Sequence, residues 1–124
     1  MEKEILFRIS RPYKVFKTLK TAAVVLPGVK GDITIIPERA PTMILLRNGV
    51  VQILGRGNQV EDRYFIKGGI ADVARDRCAV STEKAIFFDS IDLEKAERKR
   101  DEARYEEDKA YYQMIVDYLR QNSK

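Results

Sequence analysis

The chain has no histidine among its 124 residues. Acid–base or nucleophilic chemistry would therefore have to come from serine, the lone cysteine or the carboxylates. A serine nucleophile needs a base within hydrogen-bond reach. Ser81 and Ser90 have no histidine to supply one, and nothing around them suggests a Ser–Lys pair. A His general base and a His-ligated metal are excluded on the same ground. The single Cys78 rules out an intramolecular disulfide and a CxxC zinc site. It stands in the alternating run Arg77-Cys78-Ala79-Val80, where a thiol is expected to be a small buried core group. Acidic residues cluster only in the C-terminal segment, on what reads as an exposed helix, a poor setting for a catalytic dyad. Gly55-Arg56-Gly57 and Gly68-Gly69 precede no helical pattern and carry no Lys-Ser/Thr, so they read as hairpin turns and not phosphate loops. Tyr111, Tyr112 and Tyr118, at helical spacing, read as packing groups. No catalytic constellation emerges, so function is expected in surfaces.

Which surfaces follows from the elements. The most constrained stretch is Leu26 to Pro41, LPGVKGDITIIPERAP, with three of the four prolines and two of the seven glycines. Pro27-Gly28 and Gly31-Asp32 are turn signals. Asp32 to Ile36 reads as a short strand closed by Pro37 and Pro41, which cannot donate ladder bonds. Every glycine and proline lies before Ile70, and the chain divides near Asp89–Asp92. Upstream, short alternating runs separated by turn signals include Glu4–Ser10, Tyr13–Thr18, Leu19–Leu26, Thr42–Leu46, Val50–Leu54, Asp62–Lys67, Ile70–Ala74 and Arg77–Ser81. That pattern predicts a β-sandwich or a flattened barrel. Downstream the period becomes helical. Leu93, Ala96, Arg100, Ala103, Glu107, Ala110 and Met114 fall three and four apart, a thin stripe built mainly on alanine, and past Ala110 the face thickens with Tyr111, Met114, Ile115, Tyr118 and Leu119. Asp92 is the expected N-cap, with Ile91 and Ala96 placed as a hydrophobic staple. The tail is either a helical hairpin turning around Arg104–Asp108 or one helix of up to ~50 Å. No glycine or proline marks a turn there.

Net charge is +4 and 34% of residues are charged. The basic residues are mixed with acids, so no nucleic-acid partner is expected. No apolar run approaches ~18 residues, and Met1-Glu2-Lys3-Glu4 does not read as a signal or transit peptide. The chain is expected in a reducing compartment, or on a membrane complex without entering the lipid.

Three motifs occur in series: LPGVKGDITIIPERAP, then YFIKGGIADVARDRCAVSTEKA, then the helix start IDLEKA. Together they resemble the epsilon subunit of F-type ATP synthases (delta in mitochondrial naming), across essentially the whole chain. Two departures are Thr34, where the family usually has Gly, and Arg39, where it usually has His. The resemblance implies a mainly β fold with an α appendage: a ten-stranded β-sandwich over residues 1–88, then a C-terminal helical hairpin over 89–124. It implies a non-catalytic rotor subunit that binds the gamma subunit and the membrane-embedded c-ring, and so carries ion-driven rotation to the catalytic head. Lys30, Gly31, Asp32 and Arg39 are the implied c-ring contacts, Asp32 as an acid facing basic ring residues. The helical tail, if extended, would reach the alpha and beta subunits and inhibit ATP hydrolysis. Ile91, Asp92, Lys95 and Ala96 match a family pattern for ATP as a regulatory ligand, with Lys in place of Arg; no other cofactor is implied. The implied location is peripheral, on the cytoplasmic face of a bacterial plasma membrane or its organellar equivalent. Read from the residues alone, a free-standing β-sandwich adaptor with a partner-binding helix remains the alternative.

Overall fold

Alternation of side chains decides what each strand buries. In the computed structural model, which describes residues 3–122, strand β1 (Ile5–Arg11) turns Ile5, Phe7 and Ile9 inward and leaves Leu6 and Arg8 outside, as a period of two requires. Met1 and Glu2, half of the segment read as no targeting peptide, lie outside the described residues. Nine further strands follow: β2 (Lys14–Thr21), β3 (Ala23–Gly28), β4 (Gly31–Ile35), β5 (Thr42–Leu46), β6 (Gly49–Leu54), β7 (Val60–Ile66), β8 (Gly69–Ala74), β9 (Arg77–Ser81) and β10 (Ala85–Phe87). A single 3-10 turn, Phe88–Ser90, leads to helices α1 (Leu93–Glu102) and α2 (Glu106–Gln121).

The strands form one hydrogen-bonded path, β10-β7-β6-β3-β5-β8-β9-β1-β2, with β4 paired to β3 off that path. Neighbours are antiparallel except β1 and β9, which run parallel. Strand β3 is where one layer passes into the other. Ala23–Val25 pair with β6, while Gly28 at its far end pairs with Leu46 of β5. The inward residues of both layers close one core, including Phe7, Leu26, Ile53, Tyr64, Val73 and Cys78. Cys78 is fully buried there, and burial pushes its thiol up to about 12.

Some boundaries differ from the sequence reading, each for a local reason. The break between the second and third strands falls at Ala22, not at Thr18–Leu19. Pro27-Gly28 is no turn: both residues continue β3, in register with Asp32 and Gly31, and the loop is Val29-Lys30. Pro27 is tolerated because its carbonyl still accepts a bond from the Arg47 N–H (2.9 Å). The positive φ falls at Gly31 (133°), where a side chain would be strained.

The tail is a hairpin, and the single long helix is set aside. Its link, Ala103–Tyr105, needs no glycine because the flanking residues are simply extended: Ala103 at φ −66°, ψ 137° and Tyr105 at φ −108°, ψ 143°. Arg120 to Glu97 (2.9 Å) and Arg100 to Gln113 (3.1 Å) tie the helices antiparallel. The alanine stripe does not form the seam. Ala96 is buried but Ala110 is exposed, and α2 buries the thickened face, Tyr111, Ile115 and Leu119, together with Val116. Asp92 does cap α1, accepting from the Lys95 N–H at 2.8 Å, and Ile91 and Ala96 are buried in one cluster.

Candidate functional site

Two surfaces are built with more constraint than packing alone demands. The first is the β3–β4 hairpin tip. Gly28 is needed there because a Cβ would sit 2.7 Å from the Gly31 carbonyl oxygen. Arg47, from the loop between β5 and β6, donates to the Gly28 carbonyl (2.5 Å) and to the Asp32 carboxylate (2.7 Å). Asp32 is thus already paired inside the chain. Both partners are about half exposed, so the ion pair itself contributes only ~0–1 kcal/mol. Lys30 is exposed at the loop. Val29, which precedes it, donates its N–H to Leu45 (3.0 Å). Leu45 is register partner to Ile70, and Met43 lies two residues along the same outer face. Val29, Met43, Leu45 and Ile70 are 55%, 69%, 62% and 39% exposed, an apolar area beside the tip that a lone sandwich gains nothing by showing.

Arg39 does not join this site. It lies past Ile35, the far end of a strand that runs about 13 Å from Gly31 at the tip, and donates to the Thr34 carbonyl (3.3 Å). Its neighbour Glu38 holds that end of the sheet, accepting from Lys3 and from Arg75 Nε (2.8 Å). The Lys3 bond, then the Arg75 bond, lower the Glu38 carboxyl below its usual range.

The second surface is where the hairpin lies on the sandwich. Val50 of β6, Phe65 of β7 and Ile86 of β10 stand in register across three strands, on the face away from the core. They form a platform on which Phe88, Ile91, Ala96, Tyr111, Ile115 and Leu119 pack. Strand β7 is therefore buried on both sides: Tyr64 and Ile66 face the sandwich core and Phe65 faces the helices. Phe65, Phe88 and Tyr118 meet ring to ring, with centroids 5.6 to 6.1 Å apart. Two polar ties fix the register. The Tyr111 hydroxyl donates to the Phe65 carbonyl at 2.8 Å, fully buried. Asp108, in the first turn of α2, accepts from Lys67 (2.8 Å) and Lys84 (3.1 Å). The Lys67 bond, then the Lys84 bond, hold the Asp108 carboxyl below the usual carboxylate range, and Asp108 in turn raises Lys67.

The four residues of the nucleotide pattern take different roles, although Ile91 and Lys95 line one cavity. Ile91 and Ala96 belong to the helical core, and Asp92 is spent on the cap. Lys95 lines a cavity of about 500 Å³ between α1 and the β10 edge, with Lys99, Tyr112, Phe16 and a wall of Ile91. Lys99 and Tyr112 were not singled out as nucleotide-site residues in the sequence; the Lys95–Lys99 spacing of one helical turn was the available signal. Arg47 and Asp108 carried no signal, since their partners are distant in the chain. Among the described residues, no helix is long and apolar enough to cross a membrane.

Comparison with known proteins gives the fold a lineage. Residues 4–88 match the family model "ATP synthase, Delta/Epsilon chain, beta-sandwich domain". The ATP synthase epsilon chain of Gluconacetobacter diazotrophicus is 35% identical over 102 residues, which is 82% of this chain and 72% of that one. The ATP synthase epsilon chain of Sinorhizobium fredii is 31% identical over 100 residues, 81% of this chain and 74% of its own. Among solved structures, a chain of the Euglena gracilis mitochondrial ATP synthase (OSCP/F1/c-ring) superposes with a TM-score of 0.70 at 21% identity, over 94% of this chain and 81% of that one. A chain of the Tetrahymena thermophila mitochondrial ATP synthase central stalk and c-ring gives 0.56 at 12% identity, over 97% and 92%. The match over the whole sandwich, with relatives above 30% identity across most of the chain, makes this protein a member of the delta/epsilon family of ATP synthase subunits.

Proposed function

We propose that the chain is a non-catalytic rotor subunit, binding gamma through the sandwich and the c-ring through the hairpin tip, so that ring rotation reaches the catalytic head. The family match over residues 4–88 carries this reading. The exposed Met43, Leu45 and Ile70 on one outer face support a docked partner there, and the clamped tip with Lys30 supports a second contact beside it. In this reading residues 1–88 are the attachment part and 89–124 the regulatory part. The subunit is peripheral to the membrane, on the cytoplasmic face in a bacterium. The docked hairpin is the state in which hydrolysis is allowed, and release of α1 and α2 toward the alpha and beta subunits inhibits it. ATP as a ligand of the docked state is supported by Lys95 and Lys99 beside Tyr112, and Arg39 serves its end of the sheet rather than the ring.

The test is affinity purification of the tagged full chain from native membranes. Gamma and the ring subunit are expected to accompany it. A chain recovered free of them, and missing from isolated ATP synthase, would overturn the assignment. Removal of residues 91–124 in the assembled enzyme is expected to raise ATP hydrolysis; unchanged hydrolysis defeats the inhibitory part alone.

A further inference from the structure

We infer that Arg47 is the positioning residue of the β3–β4 tip, and that Asp32 acts from within the chain, as Arg47's partner, not as a charge offered to another subunit. This rests on the reading of the tip as the ring-facing contact. Three bonds leave Arg47 for the hairpin: its N–H to the Pro27 carbonyl (2.9 Å), Nη1 to the Gly28 carbonyl (2.5 Å) and Nη2 to Asp32 Oδ1 (2.7 Å). The first is a backbone bond that any residue with an N–H at 47 keeps; the side chain itself grips β3 through Nη1 and β4 through Nη2, and so crosses the hairpin just behind its loop. A planar guanidinium holds two acceptors in a fixed fork, which a lysine ammonium does not. Among the described residues strand β4 pairs only with β3. Among the described residues no other side chain bonds the stretch from Pro27 to Asp32. The β3 side of the tip is also held by the Val29 N–H to the Leu45 carbonyl (3.0 Å), so what depends on the Arg47 side chain is the placement of the β4 side, Gly31 and Asp32, against it. With Asp32 neutralised, the charge left at the tip is Lys30, which has no ion-pair partner among the described residues. The surface that complements it carries carboxylates or carbonyl oxygens, the reverse of what a free Asp32 would select.

The test uses assembled ATP synthase in membranes carrying Arg47→Ala, Asp32→Asn, the double variant or Arg47→Lys. Protons pumped per ATP hydrolysed are measured, together with the amount of the chain in the complex. Pumping per ATP is expected to fall in either single variant, by up to about five-fold, the factor equivalent to the ~1 kcal/mol upper bound of an exposed charge pair. The double variant should be no worse than either, because both remove one strut, and Arg47→Lys should restore part of the loss. Additive losses, or loss in Asp32→Asn with Arg47→Ala silent, would overturn the inference and return Asp32 to direct contact. A chain absent from the unmutated complex would instead defeat the rotor reading. Backbone order at Val29–Asp32, measured by NMR on the isolated full chain, provides a readout independent of assembly. It should drop in Arg47→Ala while β1 and β9 keep theirs; an equally ordered tip refutes the positioning role.

Discussion

Replacing Tyr111 by Phe removes one oxygen from the seam between helices and sandwich and leaves the ring in place. The lost bond, hydroxyl to Phe65 carbonyl at 2.8 Å, is fully buried. Such a bond is worth about 0.5–1.5 kcal/mol net. The ring still fills its site, so no cavity cost is added, unlike Tyr111→Ala, where ~3–5 kcal/mol is expected. The loss falls on docking of the hairpin, because Tyr111 belongs to the helical cluster and not to the sandwich core. Native-state hydrogen exchange separates the two. Amides of α2 should exchange roughly 2- to 13-fold faster in Tyr111→Phe, the factor equivalent to 0.5–1.5 kcal/mol. Amides of β1 and β9 should keep their protection. Equal acceleration across both groups would refute the reasoning, since helices and sandwich would then open as one cooperative unit. No change anywhere would mean that water replaces the hydroxyl without loss.

Two further outcomes follow from the same coordinates. Asp108 titrates lower when docked than when free, so its contribution is complete above the ordinary carboxylate value of ~3.9 and is lost as pH falls through its lowered value. Lys67 titrates higher when docked, so its share is complete below ~10.4 and is lost only as pH rises past its raised value. Docking, followed by near-UV circular dichroism of the tyrosines, should be flat from about pH 5 to 9 and weaken below ~4; a midpoint near neutrality would contradict it. Gly69→Ala should destabilise the sandwich by ~2 kcal/mol or more in urea unfolding. Its φ is 127° and a Cβ would lie 2.1 Å from the Ser81 carbonyl oxygen; a variant as stable as the parent would count against the close β8–β9 approach.

What the sequence disclosed divides by distance along the chain. The Asp92 cap and the Ile91–Ala96 pairing are decided within one helical turn, and both were legible. So was the burial of Cys78, since its strand alternates strictly. The helical turn was harder, because extended Ala103 and Tyr105 need no special residue and leave no mark in the sequence. The apolar face of α2 through Tyr111, Ile115 and Leu119 was legible too, but not the exposure of Ala110 or the bond of Tyr111 to Phe65, a contact 46 residues away. At the hairpin tip, the stretch itself was legible, but Pro27-Gly28 misled as a turn. Asp32 looked like a free acid only because Arg47, 15 residues on, is silent until the β5–β6 loop is folded beside it.

The parallel pairing of β1 with β9 has a consequence for how the protein is made. Leu6 finds its neighbour in Arg77, and Ile9 in Val80. During synthesis at ~5–20 residues per second, β1 waits roughly 4–15 s for that neighbour to leave the ribosome. Until then β1 has only its hairpin with β2, and its other edge is unpaired even though Leu26, Ile53 and Tyr64 of the opposing layer have already been made. The layer that holds β1 therefore completes only when β9 has emerged, and nascent chains halted before Arg77 should remain open to protease while those extending past Ser81 become resistant. The helices, which follow the sandwich in the chain, then meet a finished platform of Val50, Phe65 and Ile86 and can dock as soon as they emerge.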